Sequence, residues 1–151
     1  FQEYYPDDIS HCYGCGRLNE KGLQIKSHWD GEESVARLVP DENHIAIPGF
    51  VYGGLIASLI DCHSTGTAAA AKYRAEGRKM DTKPTLRYVT ASLNVDFLAP
   101  TPLGVELEIR GRVTEIGEKK VIVEAKVLAE NKICAKGKVV AVLMPKTMLQ
   151  K

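Results

Sequence analysis

The chain has 151 residues, of which 44% are apolar and 26% charged, and its 20 basic and 19 acidic side chains leave a formal charge of +1. These proportions exclude a disordered tail, and the balanced charge argues against a general nucleic-acid binder, which needs a broad basic face. No run reaches the roughly 18–20 apolar residues of a membrane span. A chain of this length buries roughly 70% of the surface it exposes when unfolded, enough for a core without staples or metal.

Four cysteines, at 12, 15, 62 and 134, are too few and too irregularly spaced for a secreted disulfide framework. The acidic start, Phe1-Gln2-Glu3-Tyr4-Tyr5-Pro6-Asp7-Asp8, has no apolar signal core. A reducing, cytoplasmic location is therefore expected. Without a repeat, long linker or low-complexity tract, residues 1–151 are expected to form a single domain.

Residues 1–30 are rich in Asp, Gly, His and Cys and read as an irregular arm leading into a short strand over 23–26. Residues 34–39 alternate as a strand should, and Pro40-Asp41-Glu42-Asn43 end it with turn chemistry. From 51 to about 74 the period changes. Leu55, Ile56, Leu59 and Ile60 recur at helical spacing, and Ala68-Ala69-Ala70-Ala71 follow with the best helix former. Most other positions of this long helix are small, as expected of a helix enclosed by other structure. Cations gather at its end, where Gly77 is the expected stop.

After Pro84 the chain reads as β. Residues 87–98 set Val89, Ala91, Leu93, Val95 and Phe97 on one apolar face and alternate them with polar positions. Strands over 105–113, 121–128 and 133–144 follow, with turns near Gly117 and at Glu130-Asn131-Lys132. The economical way to bury one long helix with these strands is an antiparallel sheet wrapped around it, an α+β fold.

Two features carry chemistry. Gly49, Gly53 and Gly54 cluster where the helix begins. Bare amides at a helix N-terminus suit an oxyanion or phosphate, and glycines there equally suit close helix–sheet packing. Asp61 lies between Ile60 and Cys62 in the most apolar part of the helix, where an unpaired carboxylate is costly. Either it bonds to hydroxyls such as Ser64, Thr65 or Thr90, or it serves as a general base or nucleophile. At 1.5 Å per residue, Gly53 and Asp61 stand about 12 Å apart, too far to serve one carbonyl. A shared site therefore requires a homodimer with its helices antiparallel, Gly53 of one copy facing Asp61 of the other.

These residues resemble the hotdog-fold acyl-CoA thioesterases, in the branch similar to PaaI. The resemblance rests on three stretches in order: His11-Cys12-Tyr13-Gly14-Cys15-Gly16 with Asn19 and Gly22-Leu23; Pro48-Gly49-Phe50-Val51-Tyr52-Gly53-Gly54-Leu55 with Asp61; and residues 89–100, from Val89-Thr90-Ala91 to Leu98-Ala99-Pro100. It implies a hotdog fold and hydrolysis of acyl-CoA to acid and CoA without a cofactor, in a homodimer or a dimer of dimers. By the same resemblance the Gly53 amide polarises the thioester carbonyl, Asp61 activates water or attacks, Thr90 holds the water and Gly54 supports the tight helix start. Tyr52 stands where the family usually has His, which bears on substrate choice and rate. Asn43 and His44 lie shortly upstream as candidate polar groups for the substrate.

Other patterns weigh less. Cys12-x-x-Cys15 beside His11 has half a zinc spacing, but Cys62, His63 and His28 do not form a second pair, so no metal is expected. His63, two residues past Asp61, points to another helix face and reads as a hydrogen-bonded core or interface residue. Lys136, Lys138 and Arg87 could meet coenzyme A phosphates, although such charges are usually solvated. Two further classes share this cleft: a non-catalytic acyl-CoA sensor, which needs no Asp61, and a dehydratase or hydratase, which needs a His that Tyr52 replaces.

Overall fold

The computed structural model describes residues 1–148; positions 149–151 of the expected domain lie outside that range. Six strands form one antiparallel sheet in the order β1-β2-β6-β7-β8-β5: His28–Asp30, Glu33–Leu38, Leu107–Ile116, Lys120–Ala129, Lys132–Leu143 and Tyr88–Phe97 respectively. A small hairpin, β3 (Ile45–Ile47) and β4 (Phe50–Val51), precedes helix α1 (Gly53–Ala75), which packs on one face of the sheet. This is the α+β hotdog arrangement that the sequence implies.

The helix forms where its periodicity predicts. Gly77, in the left-handed region at φ 64°, follows its C-terminus. Leu55, Ile56, Leu59 and Ile60 are buried against the inward residues of the strands, among them Ile109, Val121, Val123, Val127, Val139 and Ala141. Each large apolar side chain so enclosed contributes about 1.5–3 kcal/mol. The helix lies close to β8 because Gly137 has no side chain: a Cβ there would sit 2.6 Å from Cγ2 of Ile60. The β7–β8 hairpin turns at Glu130 and Asn131, both at positive φ (50° and 64°), which suits the right-handed twist of the pair.

Two expectations are corrected. Residues 23–26 are not a strand; the first strand starts at His28. Gln24 sits at φ 49°, and its amide donates to the carbonyls of Arg17 and Asn19, so this stretch is held by the arm's own turns. The alternation of β5 does not produce a buried apolar face, since Leu93 and Phe97 are exposed and Tyr88 is buried. A register shift between Thr90 and Ser92 re-aims the side chains, and β5 is the last strand of the sheet, with one edge unpaired among the described residues. In the sheet, β5 pairs with β8 and not with the strand that follows it in sequence.

The arm is irregular, as expected, but firmly seated. Gln2 Nε2 donates to Ser27 Oγ at 3.0 Å and Gln2 Oε1 accepts from the Ser27 amide at 2.8 Å. Ser27 Oγ is in turn 2.8 Å from Nδ1 of the buried His63, whose Nε2 is 2.9 Å from Ser34 Oγ. Ser34 Oγ lies 2.6 Å from Thr67 Oγ1. His63 is thus the hydrogen-bonded core residue anticipated, tying arm, sheet and helix together.

Candidate active site

Tyr52 is the N-cap of α1, in extended conformation (φ −60°, ψ 129°), and its side chain makes no capping bond. Its carbonyl accepts from Leu55 N at 3.1 Å, while the amides of Gly53 and Gly54 donate to no backbone carbonyl among the described residues. Two N–H groups therefore stand free at the positive end of a 23-residue helix. The Tyr52 ring, itself 57% exposed, lies over Gly54 in the space that a Cβ would need. Gly54 is required here by close approach. The Phe97 ring of β5 lies beside Gly53, 3.4 Å from where its Cβ would be.

Two turns further along, Thr90 Oγ1 donates to Asp61 Oδ1. Thr90 is thus the hydroxyl that engages the acid, whereas Thr65 Oγ1 donates to the Cys62 carbonyl. Asp61 is half-exposed, not enclosed as its apolar neighbours suggested. The reason is visible in the helix. From 53 to 62, only Gly53, Gly54, Ala57, Ser58 and Asp61 are left partly open, and the spacings 53/57/61 and 54/58 put them on one face. Small side chains cannot cover the carboxylate, and no other part of the described residues does. Ala57 and Ser58 were not singled out from sequence; their i, i+4 spacing to Gly53, Gly54 and Asp61 was the available signal.

Both ends of this stripe adjoin β5: Gly53 meets Phe97 and Asp61 meets Thr90. The strand therefore runs antiparallel to the helix along the site and presents the sheet's open edge beside it. The upstream pair is also drawn in. The 3-10 turn Glu42–His44 is capped by Asp41, whose side chain accepts from Asn43 N at 2.8 Å and whose amide donates to His44 Nδ1 at 3.1 Å. The His44 carbonyl accepts from Tyr52 N at 2.8 Å. His44 thereby fixes the helix start through its backbone while its ring braces the turn, and Asn43 stays exposed beside it.

Arg87 does not sit among the exposed cations. It is half-buried, its guanidinium lies 4.3 Å from the Tyr5 ring centre, and Nη2 is 4.0 Å from Cys15 Sγ. A groove of about 830 Å³ bordered by Tyr4, Lys26, Trp29, Arg74 and Met80 includes none of the candidate residues. No helix among the described residues is long and apolar enough to cross a membrane.

An antiparallel sheet folded on one long helix, with free amides at the helix start and a hydroxyl-bonded acid two turns on, places the chain among the hotdog-fold proteins. The family model described as "Thioesterase superfamily" matches residues 48–136, from the helix start into β8, and the chain belongs to that family. A thioesterase superfamily protein from Shewanella loihica PV-4 is 48% identical, with 96% of this chain and 100% of that one aligned at a TM-score of 0.74. The E. coli PaaI protein from the phenylacetic acid degradation operon aligns over 82% of this chain and 81% of its own at a TM-score of 0.65; at 17% identity that likeness is one of fold. Acyl-coenzyme A thioesterase THEM4 of Xenopus laevis is 38% identical over 74 residues, 49% of this chain and 28% of that protein. The matched stretch thus spans little more than a quarter of that relative.

Proposed function

We propose that the protein hydrolyses acyl-CoA thioesters at two composite sites, each built by two copies of the chain. The observation that carries this reading is the stripe of Gly53, Ala57 and Asp61. It puts free amides at one end and a Thr90-bonded carboxylate at the other, with only small residues between. The helix rise keeps the two ends about 12 Å apart. A two-fold axis near Ala57 brings a second helix alongside, antiparallel, and sets Gly53 of one copy opposite Asp61 of the other. The unpaired edge of β5, ten residues long with Leu93 and Phe97 exposed, supports the same association, because such an edge is a template for a further strand.

In this arrangement the thioester carbonyl oxygen lies at the helix start. The Gly53 and Gly54 amides, with the helix dipole behind them, stabilise the negative charge that develops there. Asp61 of the other copy takes a proton from water, and the attacking oxygen forms the tetrahedral intermediate, which expels the CoA thiolate. Thr90, already on Oδ1, orients the carboxylate and leaves Oδ2 for the water. Tyr52 offers a phenol at the mouth, where its ring over Gly54 borders the acyl group. The name of the Xenopus relative supports coenzyme A as the leaving group.

The test is thiol release from short, medium, long and aromatic acyl-CoA thioesters by wild type and Asp61→Asn. Loss of about 10²-fold or more in kcat, with the variant folded and associated as wild type, is expected of a general base. Full activity in the variant contradicts the assignment. If neither protein turns over any thioester but both bind acyl-CoA, the domain is a sensor.

A further inference from the structure

We propose that Cys12, Cys15 and Cys62 form a zinc site that fastens the N-terminal arm to helix α1. Residues 12–16 fold into a tight turn, closed by Gly16 N donating to the Cys12 carbonyl at 2.8 Å, and the two-residue spacer puts both cysteines of the turn on one side. The helix supplies the third thiol, 47 positions beyond Cys15, which no local spacing reveals. The three sulfurs all lie within 4.8 Å of one another, and Cys12 and Cys62 are 3.6 Å apart. Zinc–sulfur bonds of about 2.3 Å in tetrahedral geometry put sulfurs about 3.8 Å apart, so a metal fits this triangle with small adjustments.

The placement of Arg87 points to negative charge here. Arg87 inserts its guanidinium beside Cys15, its Nη1 is enclosed without a hydrogen-bond partner, and no described carboxylate is within ion-pairing distance of it. A cation so placed needs a counter-charge. Three thiolates and one Zn²⁺ carry a net charge of −1, which Arg87 neutralises. The three thiol protons leave to solvent on binding, and no electron is transferred. Cys15 and Cys62 are buried while Cys12 is half-exposed, so the fourth position opens towards solvent for a water. Gly14 completes the seat: any side chain there would collide with the Cys62 thiol.

Full-length protein purified with reductant from zinc-supplemented cells is expected to carry one zinc per chain by elemental analysis. After chelation, Co²⁺ is expected to restore occupancy with thiolate charge-transfer absorption. Cys12→Ala and Cys62→Ala abolish both signals, and Arg87→Met weakens zinc affinity about tenfold as the loss of a neighbouring donor. Cys134→Ala, whose thiol lies outside the cluster, leaves them intact. Should the cysteine variants fail to fold, wild type alone decides: three thiols shielded from a thiol reagent become reactive on chelation, and the melting temperature falls. Metal-free protein with all thiols reactive overturns the proposal, as does a Cys12–Cys62 disulfide with no zinc or cobalt taken up after reduction.

Discussion

Asp61 and His63 are two residues apart on one helix and meet opposite fates. Asp61 falls on the open stripe and meets Thr90, whereas His63 is enclosed by Ser27, Ser34 and Thr67. Burial holds the His63 imidazole down at about 3, against an ordinary value of 6.5. Below pH 6.5 the unfolded chain binds a proton here that the folded chain refuses. The stability this residue supports is therefore complete above pH 6.5 and lost as pH falls towards 3, at about 1.4 kcal/mol per pH unit. Between pH 6.5 and 5, urea unfolding is expected to show wild type losing about 2 kcal/mol more than His63→Gln. Equal losses would show that the network does not hold the ring neutral. Both residues were legible in sequence by type, but their surroundings were not. The apolar neighbours of Asp61 suggested enclosure, and the small residues at 53, 54, 57 and 58 explain why it is open.

The elements were legible where period and breakers agree. The long helix and the four long strands fall within a few residues of expectation because Leu55, Ile56, Leu59 and Ile60 recur at helical spacing, and Pro100, Pro102, Gly117 and Asn131 mark the breaks between the strands. The arm was not, since residues 23–26 look like a strand and Gln24 adopts a left-handed backbone to satisfy carbonyls far from it in register. Nor does pattern disclose pairing, and the β5–β8 neighbourhood leaves the site beside a free edge. The helix reaches the sheet at Gly137, where Ile60 fills the missing side chain's space. Gly137→Ala is expected to push helix and β8 apart and cost about 1–3 kcal/mol in denaturant unfolding. A variant as stable as wild type would show that this approach is loose.

On the scale of the whole molecule, the half-open helix stripe and the unpaired β5 edge lie side by side and ask for the same cover. In the proposed dimer a second copy would supply both at once, extending the sheet across β5 and closing the stripe with its own helix. Leu93→Lys places a charge on the exposed part of that edge, and light scattering is expected to show it as a monomer with activity lost alongside. An associated, active variant would move the interface elsewhere.

The composite site itself is tested most directly by complementation. Gly53 is the first helical residue, a position that accepts proline, and Tyr52 before it is already extended, so Gly53→Pro deletes the amide proposed to hold the oxyanion without breaking the helix. Gly53→Pro and Asp61→Asn are each expected to be inactive alone. Refolded together in equal amounts, half the dimers are mixed, and each mixed dimer holds one intact site of two, giving about a quarter of wild-type activity. Activity no greater than that of the separate variants would contradict a site shared between two chains.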